Sequence, residues 1–149
     1  MVHPADNMTA HRSQMVPRNV LVLQPSEEDS MTRALEFVEG VLTEADVPLK
    51  LVMKMNIVVD EIFSNIIYYS EASRAEIECC VQNHHVTLVF MDNGKPYNPL
   101  EADEPDTGLA AEDRKIGGLG IFMVKKTMDT VTYAYQEGQN VLTLDKVYE

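Results

Sequence analysis

The sequence predicts an α+β fold, a two-layer α/β sandwich in which a mostly antiparallel sheet carries all of its helices on one face. Three observations predict it. Two pairs of segments with period-two alternation, Ala75 to Gln82 with Val86 to Phe90 and Thr130 to Gln136 with Asn140 to Val147, are each joined by a short turn and read as hairpins. Helical apolar spacing fills the stretches before each hairpin, two helices before the first and one before the second. With 149 residues and 45% hydrophobic content, the chain can bury one core but not two comfortable ones. The resulting order is β-α-α-β-β-loop-α-β-β.

Taken in order, residues 1–17 are polar and unpatterned and read as a flexible N-terminal arm, with one domain over residues 18–149. The arm lacks the apolar core of a signal peptide. Asn19 to Gln24 reads as a short strand ended by Pro25. Ser26-Glu-Glu-Asp29 has the form of a capping box, so a helix should follow it. Met31, Leu35, Val38, Val41 and Leu42 recur at spacings of three and four, and this helix should stop near Asp46 to Pro48. A second helix is expected from about Leu49 to Tyr69, with Val52, Met55, Val59, Ile62, Phe63, Ile66 and Ile67 as its apolar face. Lys54, Asn56, Asp60 and Glu61 interrupt it, so it does not read as a membrane span. Turns at Asn83-His84 and Gly138 join the hairpins. Gly94 to Ile116, with Pro96, Pro99, Pro105 and Gly108, is the one long irregular connection, and loops of that length are usually functional or disordered.

A formal charge of -12 excludes nucleic acid and anionic membrane surfaces as direct partners, because both would repel the chain. A basic or apolar protein partner suits it better. Cys79 and Cys80 are adjacent in a strand, point to opposite faces and cannot bridge each other, which fits reduced thiols in a cytoplasmic protein.

Three stretches carry candidate chemistry, and each has a plain structural alternative. Gly117, Gly118 and Gly120 form a glycine cluster directly before a helical segment. Their backbone N–H groups can wrap an anion beside the helix's own N-terminal donors, or the cluster is simply a turn. Glu61 and Asn65 lie four apart on one helix face, so an amide oxygen and a carboxylate can hold Mg²⁺ and deprotonate a nucleophile, or merely form a solvated face. Asp92-Asn93-Gly94 ends a core strand. The aspartate can accept from an exocyclic amine with the glycine leaving room for a flat ring, or the three residues are a turn.

Together, Glu61-Ile-Phe-Ser-Asn65, Asp92-Asn-Gly-Lys-Pro-Tyr-Asn-Pro99 and Gly117-Gly-Leu-Gly-Ile-Phe-Met-Val-Lys-Lys-Thr-Met-Asp129 resemble the N, G1 and G2 boxes of the GHKL ATPases. Within that superfamily the chain is most similar to the compact anti-sigma branch, the RsbW-type serine-protein kinases, from about Asn19 onward. The resemblance implies a Bergerat fold that binds ATP with Mg²⁺. It makes Glu61 the general base and Asn65 the Mg²⁺ ligand. Asp92 would take the adenine amine and Gly94 would give the ring room. Lys115, Gly117, Gly118, Leu119 and Gly120 would line the phosphates, and Gly94 to Ile116 would be the ATP lid. The implied partners are an anti-anti-sigma protein of the STAS type, phosphorylated on serine, and a sigma factor held inactive. A homodimer is also implied, and the strand near Asn19 to Gln24 would present an edge to be covered or paired.

Two positions depart from the family pattern: Tyr69 stands where a histidine is frequent, and Ile116 where some relatives carry a basic residue, with Arg114 and Lys115 nearby but out of register. Two functions therefore stand side by side, an ATP-dependent protein-serine kinase and a nucleotide-gated module that binds its partner without effective phosphoryl transfer. A histidine kinase fragment is set aside, because His3, His11, His84 and His85 fall in the arm and a hairpin turn.

Overall fold

The computed structural model describes residues 19–101 and 118–149. Their elements follow the predicted order: β1 (Asn19–Leu23), α1 (Ser30–Glu44), α2 (Leu49–Asn65), β2 (Ala75–Gln82), β3 (His85–Asp92), α3 (Gly118–Thr127), β4 (Thr130–Gln136) and β5 (Gln139–Val147). The strands form one antiparallel sheet ordered β1-β2-β3-β5-β4, so the second hairpin docks through its last strand onto β3. The expected arm over residues 1–17 and most of the expected lid lie outside the described residues.

Strand alternation decides which face is covered. Ala75, Ile77 and Cys79 of β2, Val86, Leu88 and Phe90 of β3, and Leu142 and Leu144 of β5 are all buried, and they pack on the apolar faces of the helices. Val20 and Val22 of edge strand β1 are exposed on the other face. Cys79 is buried and Cys80 is partly exposed, with no disulfide between them, as expected of neighbours in a strand. Both hairpins turn through two residues with positive φ, Asn83 (52°) with His84 (61°) and Glu137 (54°) with Gly138 (75°), the left-handed pair that matches strand twist.

The expected capping box does not form. Instead the chain makes two main-chain turns, Glu27 N–H to Gln24 O (3.0 Å) and Ser30 N–H to Glu27 O (3.1 Å). The buried Ser30 hydroxyl donates back to Pro25 O at 2.9 Å, and α1 starts at Ser30, one turn later than predicted, with no side-chain bond from Asp29. At its other end Asp46 takes a left-handed φ of 60°, and the amides of Asp46 and Val47 bond to Thr43 O and Leu42 O, a Schellman closure that buries Val47.

The second predicted helix is correct in extent but not in winding. Its α-helical part ends at Asn65, and Ile66–Ser70 continue as a π-helical turn stopped by Glu71 at φ 57°. Such turns are frequent at functional sites because they re-aim the backbone within a helix. Here the turn brings the Ser70 carbonyl to the end of β3, where the Lys95 amide donates to it at 2.8 Å.

Candidate nucleotide site

The site is assembled where α2, its π turn and the far end of β3 meet. Burial of Ile62, Phe63 and Ile66 on the sheet sets the rotation of α2, and that rotation carries Asn65 inward, so that the residue is buried. Asn65, Asp92, Tyr97, Tyr133 and Asn140 line one cleft over an apolar floor that includes Ile62, Phe90 and Leu142. The cleft has a cavity volume of about 30 Å³.

Asp92 is buried, and its Oδ1 accepts from the Gly94 amide and from Asn140 Nδ2, both at 2.9 Å. Both of those bonds fall on Oδ1, and Oδ2 is the oxygen left for a ligand's donor. Gly94 is needed for a reason the sequence does not show: a β-carbon there would overlap the carbonyl oxygen of Ser70.

Glu61 and Asn65 meet as their spacing predicted. Asn65 donates a side-chain hydrogen bond to the Glu61 carboxylate. Burial pushes the Glu61 carboxyl up from 4.5 to about 7; the Asn65 bond opposes that shift and the neighbouring Asp60 charge adds to it. Asn65 Oδ1 and Glu61 Oε2 are buried without a hydrogen-bond partner among the described residues. Buried acceptors are normally satisfied, so these two neighbouring oxygens are free to accept from a group that supplies positive charge or a donor.

The glycine cluster differs from its prediction as a loop ahead of a helix. Gly118, Leu119 and Gly120 already form the first turn of α3, and Lys115 and Gly117 lie outside the described residues. Gly120 lies against Glu61, where a β-carbon would overlap the carboxylate, so the N-terminus of α3 and its unsatisfied N–H groups open beside the Glu61–Asn65 pair. Lys125 anchors α3 through Leu100 O at 3.2 Å, on the short 3-10 turn Pro99–Glu101.

Three further site residues were not singled out in the sequence: Ser70, Tyr97 and Asn140. Tyr97 stacks on Tyr69, with ring centroids 5.2 Å apart and planes 21° from parallel; this is the tyrosine in the place of the family's frequent histidine. Burial, then the charges of Tyr69 and Glu61, push the Tyr97 hydroxyl up. Asn140 did carry a signal, because in the alternation Asn140-Val141-Leu142-Thr143-Leu144 it is the one amide on the core-facing side.

Residues 24–146 match the histidine kinase-like ATPase domain model. The chain belongs to that family. Its fold and its ATP-binding character follow from membership, and among the described residues no helix is long and apolar enough to cross a membrane. The chain is 26% identical over 117 residues to the serine/threonine-protein kinase BtrW of Bordetella bronchiseptica, covering 76% of this chain and 82% of that protein. It is 23% identical over 133 residues to the serine-protein kinase RsbW of Listeria monocytogenes, covering 84% and 85%. Among solved structures, the histidine kinase AdeS of Acinetobacter baumannii aligns with a TM-score of 0.48 at 16% identity, over 95% of this chain and 73% of that one.

Proposed function

We propose that this histidine kinase-like ATPase domain is an anti-sigma factor with protein-serine kinase activity, acting in the cytoplasm. It would phosphorylate a serine of an anti-anti-sigma protein of the STAS type and otherwise sequester a sigma factor. The observation that carries the nucleotide part is the buried, orphaned Asn65 Oδ1 in the same cleft as Asp92. The relatives named as serine-protein kinases support the kinase part.

The donors present fit Mg²⁺-ATP. Asn65 offers a neutral oxygen to a hard cation, Asp92 Oδ2 offers an acceptor to the adenine amine, and the first turn of α3 offers N–H groups to phosphate. When bound, Mg²⁺-ATP supplies the transferable phosphoryl group with its charge neutralised. Glu61 accepts the proton of the partner's serine hydroxyl, and its raised pKa suits a base working near neutral pH. Asn65 steadies that carboxylate through its amide. Lys115, Gly117, Gly118 and Leu119 complete the phosphate contacts in this reading.

The test is incubation of the purified protein with Mg²⁺-ATP and a candidate anti-anti-sigma protein, with phosphoserine read by mass spectrometry. Glu61→Gln is expected to keep nucleotide binding and lose phosphoserine formation by about 10²- to 10⁴-fold, the usual contribution of a general base. Wild-type protein that binds ATP yet phosphorylates no cognate partner would replace the kinase with a nucleotide-gated binding module.

A further inference from the structure

Asn140 is buried at the start of β5, directly across from Asp92 of β3, and every polar atom of its side chain is engaged. Its Nδ2 donates to Asp92 Oδ1 and to Lys95 O, both at 2.9 Å. Its Oδ1 accepts from the Tyr97 amide at 3.0 Å and from the Tyr133 hydroxyl. One amide thus ties the carboxylate that faces the cleft to the backbone of Lys95 and Tyr97, and Tyr97 lines the same cleft. No other residue type of that size offers two donors and a two-lone-pair acceptor in one plane.

We propose that Asn140 is the specificity-determining positioning residue for the nucleotide base. By holding Oδ1 of Asp92 it presents Oδ2 to the cleft as a fixed acceptor, and by holding the backbone of Lys95 and Tyr97 it fixes the wall of the cleft beside it. The inference rests on the nucleotide reading of the cleft. A fixed acceptor favours a purine whose 6-position donates, as the amine of adenine does, and rejects one whose 6-position is a carbonyl. Without the Asn140 bond, Asp92 keeps only the Gly94 amide as a tether and can swing about it. The adenine donor then loses its fixed partner, and a 6-carbonyl is relieved of the acceptor facing it. The two nucleotides share their ribose and phosphates, so the ratio of the two affinities isolates the role of Asn140.

The experiment is calorimetric titration of the full chain with ADP and with inosine diphosphate, which differ in that 6-substituent. Wild-type protein is expected to prefer ADP by 10-fold or more, and Asn140→Leu to cut that preference at least 10-fold by losing ADP affinity while inosine diphosphate affinity changes little. Thr87→Val removes a side-chain bond to Asp145 between the same two strands, 2.8 Å long and outside the cleft, so it is expected to keep the wild-type ratio. Should Asn140→Leu fail to fold, Asn140→Ser removes the same amide bonds while leaving space for water to satisfy the Tyr97 amide, and its ratio is expected to fall in the same direction. A ratio within twofold of wild type in the folded Asn140 variant, or an equal collapse in Thr87→Val, overturns the assignment while leaving nucleotide binding intact. Wild-type protein that binds ADP and inosine diphosphate equally overturns it as well. Wild-type protein that binds neither overturns the nucleotide reading itself.

Discussion

Gly120 in the first turn of α3 lies so close to Glu61 of α2 that a β-carbon at residue 120 would occupy the place of the Glu61 carboxylate. The glycine is therefore coupled to the acid across the helix pair. In a helix, Gly→Ala normally gains about 1 kcal/mol. Gly120→Ala is expected to lose that gain in the wild-type background, because the glutamate must rotate out of its bond with Asn65, and to recover it in a Glu61→Ala background. Denaturant melts of the four proteins in the cycle measure the coupling, and additive effects would show that the two residues do not constrain each other.

Glu61 also gives the protein a pH signature. Its folded-state pKa, raised to about 7 from 4.5, means that the folded state favours the protonated acid. The stabilisation is fully present below the unfolded value near 4.5 and is lost as pH rises through about 7. Glu61→Gln keeps a neutral side chain at every pH. Its Tm is expected to rise relative to wild type between pH 5 and pH 8, and thermal melts across that range in the absence of nucleotide check it; a difference independent of pH would refute the shift.

Gly94 tests the approach of the π turn to the end of β3. The atoms a β-carbon would meet are the backbone carbonyl of Ser70, which cannot step aside as a flexible side chain can. Gly94→Ala is expected to cost about 1–3 kcal/mol, the usual range for overpacking, and to weaken ADP binding as the Asp92 bond to the Gly94 amide is displaced. Denaturant unfolding gives the first quantity and calorimetry the second.

Nucleotide binding itself is read as a shift in melting. At about 100 times Kd, Mg²⁺-ATP is expected to stabilise the wild-type protein by roughly 2.7 kcal/mol, or several degrees. Asp92→Asn is expected to abolish most of that shift by putting a donor where the adenine amine needs an acceptor. Asn65→Ala is expected to abolish its Mg²⁺-dependent part, because the buried Oδ1 is the oxygen offered to the metal. An unchanged wild-type Tm with excess Mg²⁺-ATP would defeat both.

Assembly follows from β1. It is an edge of the sheet, and Val20 and Val22 on it are 45% and 46% exposed, an apolar edge of the kind proteins cover. The chain is expected to form a homodimer that Val20→Lys with Val22→Lys disperses. Light scattering of both proteins decides it, and a monomeric wild-type mass at high concentration refutes it.

The sequence by itself determined the elements, because their causes are local. Alternation at Ala75, Ile77 and Cys79, helical spacing at Val52, Met55 and Val59, and turn residues such as Asn83 and Gly138 each act within a few neighbours, and all reappear in the fold. The Glu61–Asn65 pairing was legible for the same reason, since one helical turn brings the two side chains together. Only the tertiary structure decided what depends on distant partners. The π winding at the end of α2 goes with the Ser70 carbonyl meeting the Lys95 amide, whereas the capping box failed for a local reason, the Ser30 bond with Pro25 five residues back. The purpose of Gly120 is a contact with another helix, and that of Gly94 a contact with the carbonyl of the π turn. Asn140 carries only a faint local mark, a polar residue on an apolar strand face that was not singled out, and its partners Asp92 and Tyr97 lie 48 and 43 residues away along the chain. Its bonds to Asp92, Lys95 and Tyr97 exist only because β5 pairs with β3, a non-local pairing that no pattern within either strand encodes; the bond from Tyr133 lies within the β4–β5 hairpin.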